Sequence, residues 1–252
     1  MSHECDSILC GLGLFVASPI MFHLLQRRSS IVTRSLNRLS STKSSVTARQ
    51  LVSQAEEIIQ RDEGNRGIKD IFLPPGELFK SAEAMLKANN VVIATGFPCL
   101  IDFTPPTETD GPLGAAAIAH TLLKLGKNVT ILTDACNEEV MLSCCASAEF
   151  SNERFTLESF PPLGEFDDRD YKRLARYSDP EGAEDSPPID LYIAIERTGP
   201  NYEGAYRTMR NRDMSHLIAP LETILPYNDD LSPSSKAKVI TSIGIGKAHR
   251  HD

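Results

Sequence analysis

The sequence of 252 residues contains no tryptophan and no excess of basic residues. Lys and Arg number 26 against 34 Asp and Glu, so the net charge is −8 at pH 7. Binding to nucleic acid requires a basic surface that neutralises phosphates, and no stretch interleaves basic with aromatic residues. The composition therefore argues against a nucleic-acid-binding protein. Apolar residues at 41% and charged residues at 24% are typical of a soluble globular domain.

The sequence also lacks the motifs of a zinc site and of a nucleotide-binding loop. Six cysteines are present, but no C-x-x-C pair has a partner pair. The glycines Gly244 and Gly246 lack the third glycine of a dinucleotide-binding fingerprint. Carboxylates near predicted strand ends could hold Mg²⁺ or Ca²⁺, but their spacing fits no dedicated loop. We therefore expect neither a cofactor nor a bound metal.

The first fifty residues differ in composition from the rest of the chain. Residues 8–25 are nearly all apolar, and residues 18–49 contain six basic residues, many serines and no acid. Arg-rich, Ser-rich and acid-poor composition is typical of a mitochondrial transit segment. A membrane anchor is the alternative, because about 18 apolar residues can just span a bilayer. We predict a targeting segment over 1–50, a folded domain over 51–252, and no other membrane contact.

Helical and strand-like patterns alternate along the remainder of the chain. This alternation predicts a three-layer α/β domain with an open, mostly parallel sheet and helices on both faces. The acidic, proline-containing residues 149–188 are interpreted as an irregular insertion, and 202–212 as a further helix. The main predicted strands are 91–95, 129–133, 189–195 and 239–243, and the main predicted helices are 51–63, 77–89, 113–126 and 138–148.

The connection from Thr95 to Gly114 is unusually long, polar and rich in proline. It follows a predicted strand, and parallel α/β sheets bind ligands just outside the carboxyl ends of their strands. A second polar pair, Glu196 and Arg197, ends another predicted strand, where the planar guanidinium is suited to a carboxylate. We expect the two regions to meet at one edge of the sheet. The candidate acids and bases are Glu108, Asp110 and Glu196, and the candidate substrate-binding residues are Thr95, Gly96, Thr107, Thr109 and Arg197.

A structural role for these residues is the alternative. An acidic loop is often simply solvated, and Asp110 stands where it could cap the helix that follows the loop. The residue types alone do not decide between the two interpretations.

Several long strings give the sequence a family resemblance. They include PPTETDGPLG and AIERTGPNYEG, in the same order as in the family, across about residues 70–244. The chain resembles the C-terminal domain of the mitochondrial D-glutamate cyclase family. The resemblance implies dehydrating cyclisation of D-glutamate to 5-oxo-D-proline in the mitochondrial matrix, with a small amino acid as the substrate. The alternative is a non-catalytic module that binds a small molecule or a partner protein.

Roles for the candidate residues follow from that chemistry. Glu108 or Asp110 could deprotonate the substrate amine, an acid must protonate the departing oxygen, and Arg197 could bind the α-carboxylate. The family continues past the last strand with a glycine-rich acidic loop, G-x-G-D-G-G-N-E, whereas this chain ends in SIGIGKAHRHD. We therefore expect a sheet truncated at its C-terminus. An unpaired sheet edge favours self-association, so a homo-oligomer is expected as well.

Overall fold

The structure, a computed structural model, describes residues 47–61, 74–147, 153–178, 188–225 and 240–246. Residues 52–252 belong to one compact unit. The predicted targeting segment lies outside the described residues, except for 47–50. Within the described part of the chain, no helix is long and apolar enough to cross a membrane.

The described residues contain five α-helices and five β-strands. The helices are α1 Ala48–Ile59, α2 Glu77–Lys87, α3 Asp110–Lys124, α4 Glu138–Ser147 and α5 Asp168–Ala175. The strands are β1 Asn90–Gly96, β2 Asn128–Asp134, β3 Phe155–Phe160, β4 Leu191–Arg197 and β5 Thr241–Ile245.

The five strands form one parallel sheet in the order β3-β2-β1-β4-β5. From the central strand β1 the chain proceeds outward through β2 to β3, and then crosses to β4 and β5 on the other side. The strand order therefore reverses between β1 and β4. Such a topological switch point opens a crevice outside the carboxyl ends of the two strands, where open α/β sheets bind their ligands.

Apolar side chains cover both faces of the sheet and form two cores. On one face, alternate strand residues such as Ile93 and Ile131 pack against α3, α4 and α2. On the other face, the intervening residues, such as Val92 and Leu132, pack against α5 and the turn at Leu221–Ile224. The predicted three-layer α/β fold, with a parallel sheet and helices on both faces, is confirmed.

The prediction of an irregular insertion over 149–188 is wrong where this region is described. Phe155–Phe160 forms β3, which pairs with β2 along its whole length. Asp167 and Asp170 form a capping box that starts α5. The sequence pattern concealed the strand because it lies at the sheet edge. There the carboxylate of Glu158 contacts Arg176 and accepts a hydrogen bond from Tyr177 at 2.8 Å.

The predicted helix over 202–212 is also wrong. This segment forms turns, and Arg207 pairs with Asp213 through an isolated antiparallel bridge. Gly204 and Asn211 adopt positive φ angles of 77° and 58°, which a right-handed helix excludes. Tertiary packing holds the loop instead, because the side chain of Tyr206 is buried in a small apolar cluster.

Candidate functional site at the switch point

The amino end of α3 lies against the ends of β1 and β4. A Cβ atom on Gly111 would lie 3.0 Å from Cβ of Glu196 and 3.0 Å from Oγ1 of Thr95. Glycine at this position thus permits a close approach that any larger residue would obstruct. The helix begins at Asp110, three residues before the predicted start, so the polar part of the loop continues directly into its first turn.

A β-bulge at Glu196 changes which way the end of β4 faces. Gly96 pairs with Arg197 rather than with Glu196, and Glu196 has a positive φ of 44°. The extra residue breaks the alternation of side chains along the strand. Glu196 consequently lies on the same side of the sheet as α3, while Arg197 turns to the opposite side. Positive φ is unfavourable for residues other than glycine, and such strain is concentrated at functional sites.

All three predicted acids lie near the first turn of α3. Asp110 begins the helix, and one of its carboxylate oxygens accepts a hydrogen bond from the backbone N–H of Gly111 at 3.0 Å. The Cys99 thiol is hydrogen-bonded to the half-buried Glu108. Burial, this hydrogen bond and the charges of Glu108 and Asp110 raise the pKa of Cys99 to about 12. The charges of Glu108 and Asp110 thus both act on the Cys99 thiol, and Cβ of Glu196 lies beside Gly111 in the first turn of α3, where the helix dipole favours negative charge.

Arg197 forms a buried ion pair instead of pointing into the crevice. Its Nη1 contacts the carboxylate of Asp134, and its Nη2 donates to the carbonyl oxygen of Ala219 at 2.6 Å. The side chains of Arg197 and Asp134 are only 4% and 0% exposed. Burial lowers the pKa of Arg197, but the charge of Asp134 and its hydrogen bond outweigh this effect and leave the pKa above its ordinary value. The terminal nitrogens of the predicted carboxylate clamp are therefore engaged inside the protein.

A chain of buried hydrogen bonds connects this ion pair to the loop after β1. Asn137 Nδ2 donates to Asp134 at 2.9 Å, and Thr107 Oγ1 donates to Oδ1 of Asn137. A Cβ on Gly96 would lie 2.2 Å from Nδ2 of Asn137, so this position admits only glycine without rearrangement. Thr107 and Gly96 thus fix the loop in place. Asp134 and Asn137 are not among the predicted site residues, although Asp134 directly ends the buried strand β2.

The remaining candidates have different surroundings. Thr95 is fully buried, and its Oγ1 donates to the carbonyl oxygen of Ile195 at 2.9 Å, which joins β1 to β4. Thr109 stands at the N-cap position of α3, but its side chain forms no capping hydrogen bond. Thr95 therefore holds the strand ends together, while Thr109 faces the first turn of the helix.

The loops after β1 and β4 pack on each other above the strand ends. We call residues 97–109 and 198–219 together the cap. Its interior contains Tyr206, Met214, Ile218, Phe97 and Ile101. Asp102 and Arg212 join the two loops by a bidentate ion pair at 2.6 and 2.8 Å, and the exposed fractions of the two side chains are 65% and 48%.

An open cavity of about 450 Å³ lies at the opposite end of the sheet, near the amino ends of β1, β4 and β5. Charged residues of both signs line it. Parallel α/β folds bind ligands at the other end, so this cavity is a weaker candidate. Among the described residues, no three His, Cys, Asp or Glu side chains gather into a group that could hold a metal ion.

The fold is a doubly wound parallel α/β domain, a class whose members bind their ligands at the switch point. Comparison with known proteins narrows this class. Residues 55–248 match the family model described as D-glutamate cyclase-like, C-terminal. The chain belongs to this family. Over 204 residues it is 32% identical to human "D-glutamate cyclase, mitochondrial", an alignment that covers 80% of the chain and 31% of that protein.

Proposed function

We propose that the chain is a D-glutamate cyclase-like enzyme that converts D-glutamate to 5-oxo-D-proline and water. The single observation that supports this most strongly is that Glu108 and Asp110 lie together at the start of α3, where Cβ of Glu196 approaches Gly111. Family membership supports the substrate class. The chain spans about a third of the human relative, so activity of this chain by itself is part of the proposal.

The reaction requires proton transfer and stabilisation of negative charge. The amine nitrogen attacks the γ-carboxyl carbon, a C–N bond forms, and one C–O bond of the carboxyl group breaks. The ammonium group loses two protons in total, and the departing oxygen gains two to leave as water. Carboxylates positioned beside the substrate can accept protons from the ammonium group and donate protons to the departing oxygen.

We assign these roles by position. Glu108, or Asp110 beside it, accepts a proton from the amine, and Glu196 on the facing strand end supplies a proton to the departing oxygen. The amino end of α3 can stabilise the oxyanion that develops on the γ-carboxyl group through the helix dipole, because the N–H groups of Gly111 and Leu113 already donate to Asp110 and Thr109. The buried ion pair of Arg197 with Asp134 holds the ends of β4 and β2 in place.

The test is incubation of the purified chain with D-glutamate and detection of 5-oxoproline by mass spectrometry. Replacement of Glu108 or Glu196 by glutamine should lower turnover about 10²- to 10⁴-fold, the usual contribution of a general acid or base. Glu203→Gln is the matched control, because Glu203 is an exposed residue of the cap. If all three variants match the parent chain, these catalytic roles are wrong.

A non-catalytic binding module is the second candidate. The engagement of both terminal nitrogens of Arg197 inside the protein favours it, because the clamp predicted for the substrate carboxylate is occupied. A folded chain that binds D-glutamate and forms no 5-oxoproline would support this alternative.

We also propose that residues 1–50 direct the chain into the mitochondrial matrix. The human relative is named as a mitochondrial protein, and the composition of the segment agrees with import. A fluorescent protein carrying residues 1–50 should accumulate in mitochondria. A cytosolic distribution would refute this assignment.

A further inference from the structure

A second polar cluster is buried on the side of the sheet opposite α3. The hydroxyl group of Tyr206 donates a hydrogen bond to Oε1 of Glu222, and Tyr206 itself is fully buried. The neighbouring Tyr192 has its pKa raised to about 12, chiefly by burial. The positive charge of Arg197 lowers this pKa, and the negative charges of Glu222 and Asp134 raise it. The cluster thus combines two carboxylates with one guanidinium.

Two polar atoms of this cluster have no hydrogen-bond partner. Among the described residues, only three buried side-chain atoms share this property, and two of them are Arg197 Nε and Glu222 Oε2. The side chain of Arg197 is 4% exposed. A buried donor or acceptor without a partner is costly, and native proteins rarely retain one without a reason. Here an unpartnered donor and an unpartnered acceptor occur in the same cluster.

We propose that Arg197 Nε and Glu222 Oε2 bind the head group of an α-amino acid. The Nε–H group donates to the α-carboxylate, while the carboxylate oxygen of Glu222 accepts from the ammonium group. A cluster with two carboxylates and one guanidinium lacks one positive charge, which an ammonium group supplies. This inference goes beyond the proposed function: the site lies on the side of the sheet opposite Glu108 and Asp110, so the head group bound here is separate from the substrate amine that those residues deprotonate. It adds Glu222 as a binding residue.

Entry to this site requires the cap segment 198–219 to move. Both unpartnered atoms are inaccessible to solvent in the described structure. Tyr206 and Ala219, which belong to this segment, bond directly to Glu222 and Arg197. An exposed ion pair, Asp102 with Arg212, joins the segment to the other cap loop, and exposed pairs contribute little stability. Opening and closing of such loops commonly accompanies substrate binding.

The test compares two probes that differ only in the amine and cannot cyclise, D-norvaline and pentanoate. Binding of each to the full chain is measured by NMR titration. The unmodified chain should bind D-norvaline at least about tenfold more tightly, equivalent to about 1.4 kcal/mol. Glu222→Gln should remove this preference and leave the affinity for pentanoate unchanged, whereas the exposed control Glu203→Gln should retain it.

Three results would overturn the proposal. They are equal affinity of the unmodified chain for the two probes, no binding of either probe, and a preference for the amine that survives in Glu222→Gln. Each would indicate that an internal water, rather than a ligand, satisfies the two atoms. If Glu222→Gln does not fold, the affinities of the unmodified chain for D-norvaline and pentanoate still test the proposal. Formation of 5-oxoproline is measured separately, so failure of this site and failure of the cyclase proposal are distinguishable.

Discussion

The substitution Asp134→Asn tests whether the buried ion pair holds the strand ends together. The carboxylate of Asp134 accepts hydrogen bonds from the backbone N–H of Ala219 at 2.8 Å, from Asn137 Nδ2 at 2.9 Å and from Arg197. Asparagine keeps the shape but replaces one acceptor oxygen with an NH₂ donor that faces other donors. It also leaves the guanidinium of Arg197 buried without its counter-charge.

The expected cost is large relative to the stability of a domain. Removal of one partner from a buried ion pair costs about 3–5 kcal/mol, against a total of about 5–15 kcal/mol for a typical domain. For a domain of this size, each kcal/mol corresponds to about 2–4 °C in Tm. We therefore expect the Tm of Asp134→Asn to fall by roughly 6–20 °C, measured by circular dichroism during heating.

Asp102→Asn is the matched control, because it removes the same charge from an exposed ion pair. Its partner Arg212 is 48% exposed and Asp102 is 65% exposed, so we expect little loss of stability. If Asp134→Asn destabilises the chain no more than Asp102→Asn does, the buried pair does not stabilise the strand ends as argued.

Two further substitutions test the close contacts of the loop after β1. Gly96→Ala should cost about 1–3 kcal/mol in unfolding free energy, because the new Cβ meets Asn137 at a positive φ of 118°. Gly244→Ala in β5 is the control, because no atom lies within 4 Å of the new Cβ, and it should change the free energy of unfolding little. If urea denaturation shows the same loss for Gly96→Ala and Gly244→Ala, the close contact at Gly96 is wrong. Glu108→Gln should lower the raised pKa of Cys99 and speed its alkylation at pH 8, while Cys136, whose pKa of about 12 is raised chiefly by burial, should react as before. Peptide mass spectrometry measures both rates, and an unchanged rate at Cys99 would show that Glu108 does not contact the thiol.

The central part of the fold could be predicted from sequence because its signals are local. The run of β-branched residues in β1 and β2 and the helical pattern of α3 and α4 gave bounds within about three residues of those observed. Edge strand β3 alternates weakly, since it contains the half-buried polar residues Glu158 and Ser159, whose partners come from other elements of the chain. A local sequence pattern does not show which residues of other elements will contact Glu158 and Ser159.

The site was predictable by position but not by side-chain direction. Loop length and strand ends predicted that the candidate residues lie at the carboxyl edge of the sheet, and the structure has Glu108 and Asp110 there, at the start of α3. Regular alternation would put Arg197 on the same face as Ile195 and α3, and the bulge at Glu196 reverses this. A bulge depends on pairing with β1, which is distant in sequence. For the same reason, no pattern in the sequence connected Arg197 with Glu222.

Formation of 5-oxoproline by the purified chain tests the proposed function most directly. The chain is incubated with D-glutamate, and product is quantified by mass spectrometry alongside Glu108→Gln and the control Glu203→Gln. The account predicts product from the unmodified chain and from Glu203→Gln, and at least about a hundredfold less from Glu108→Gln. Absence of product from a chain that circular dichroism shows to be folded would contradict it.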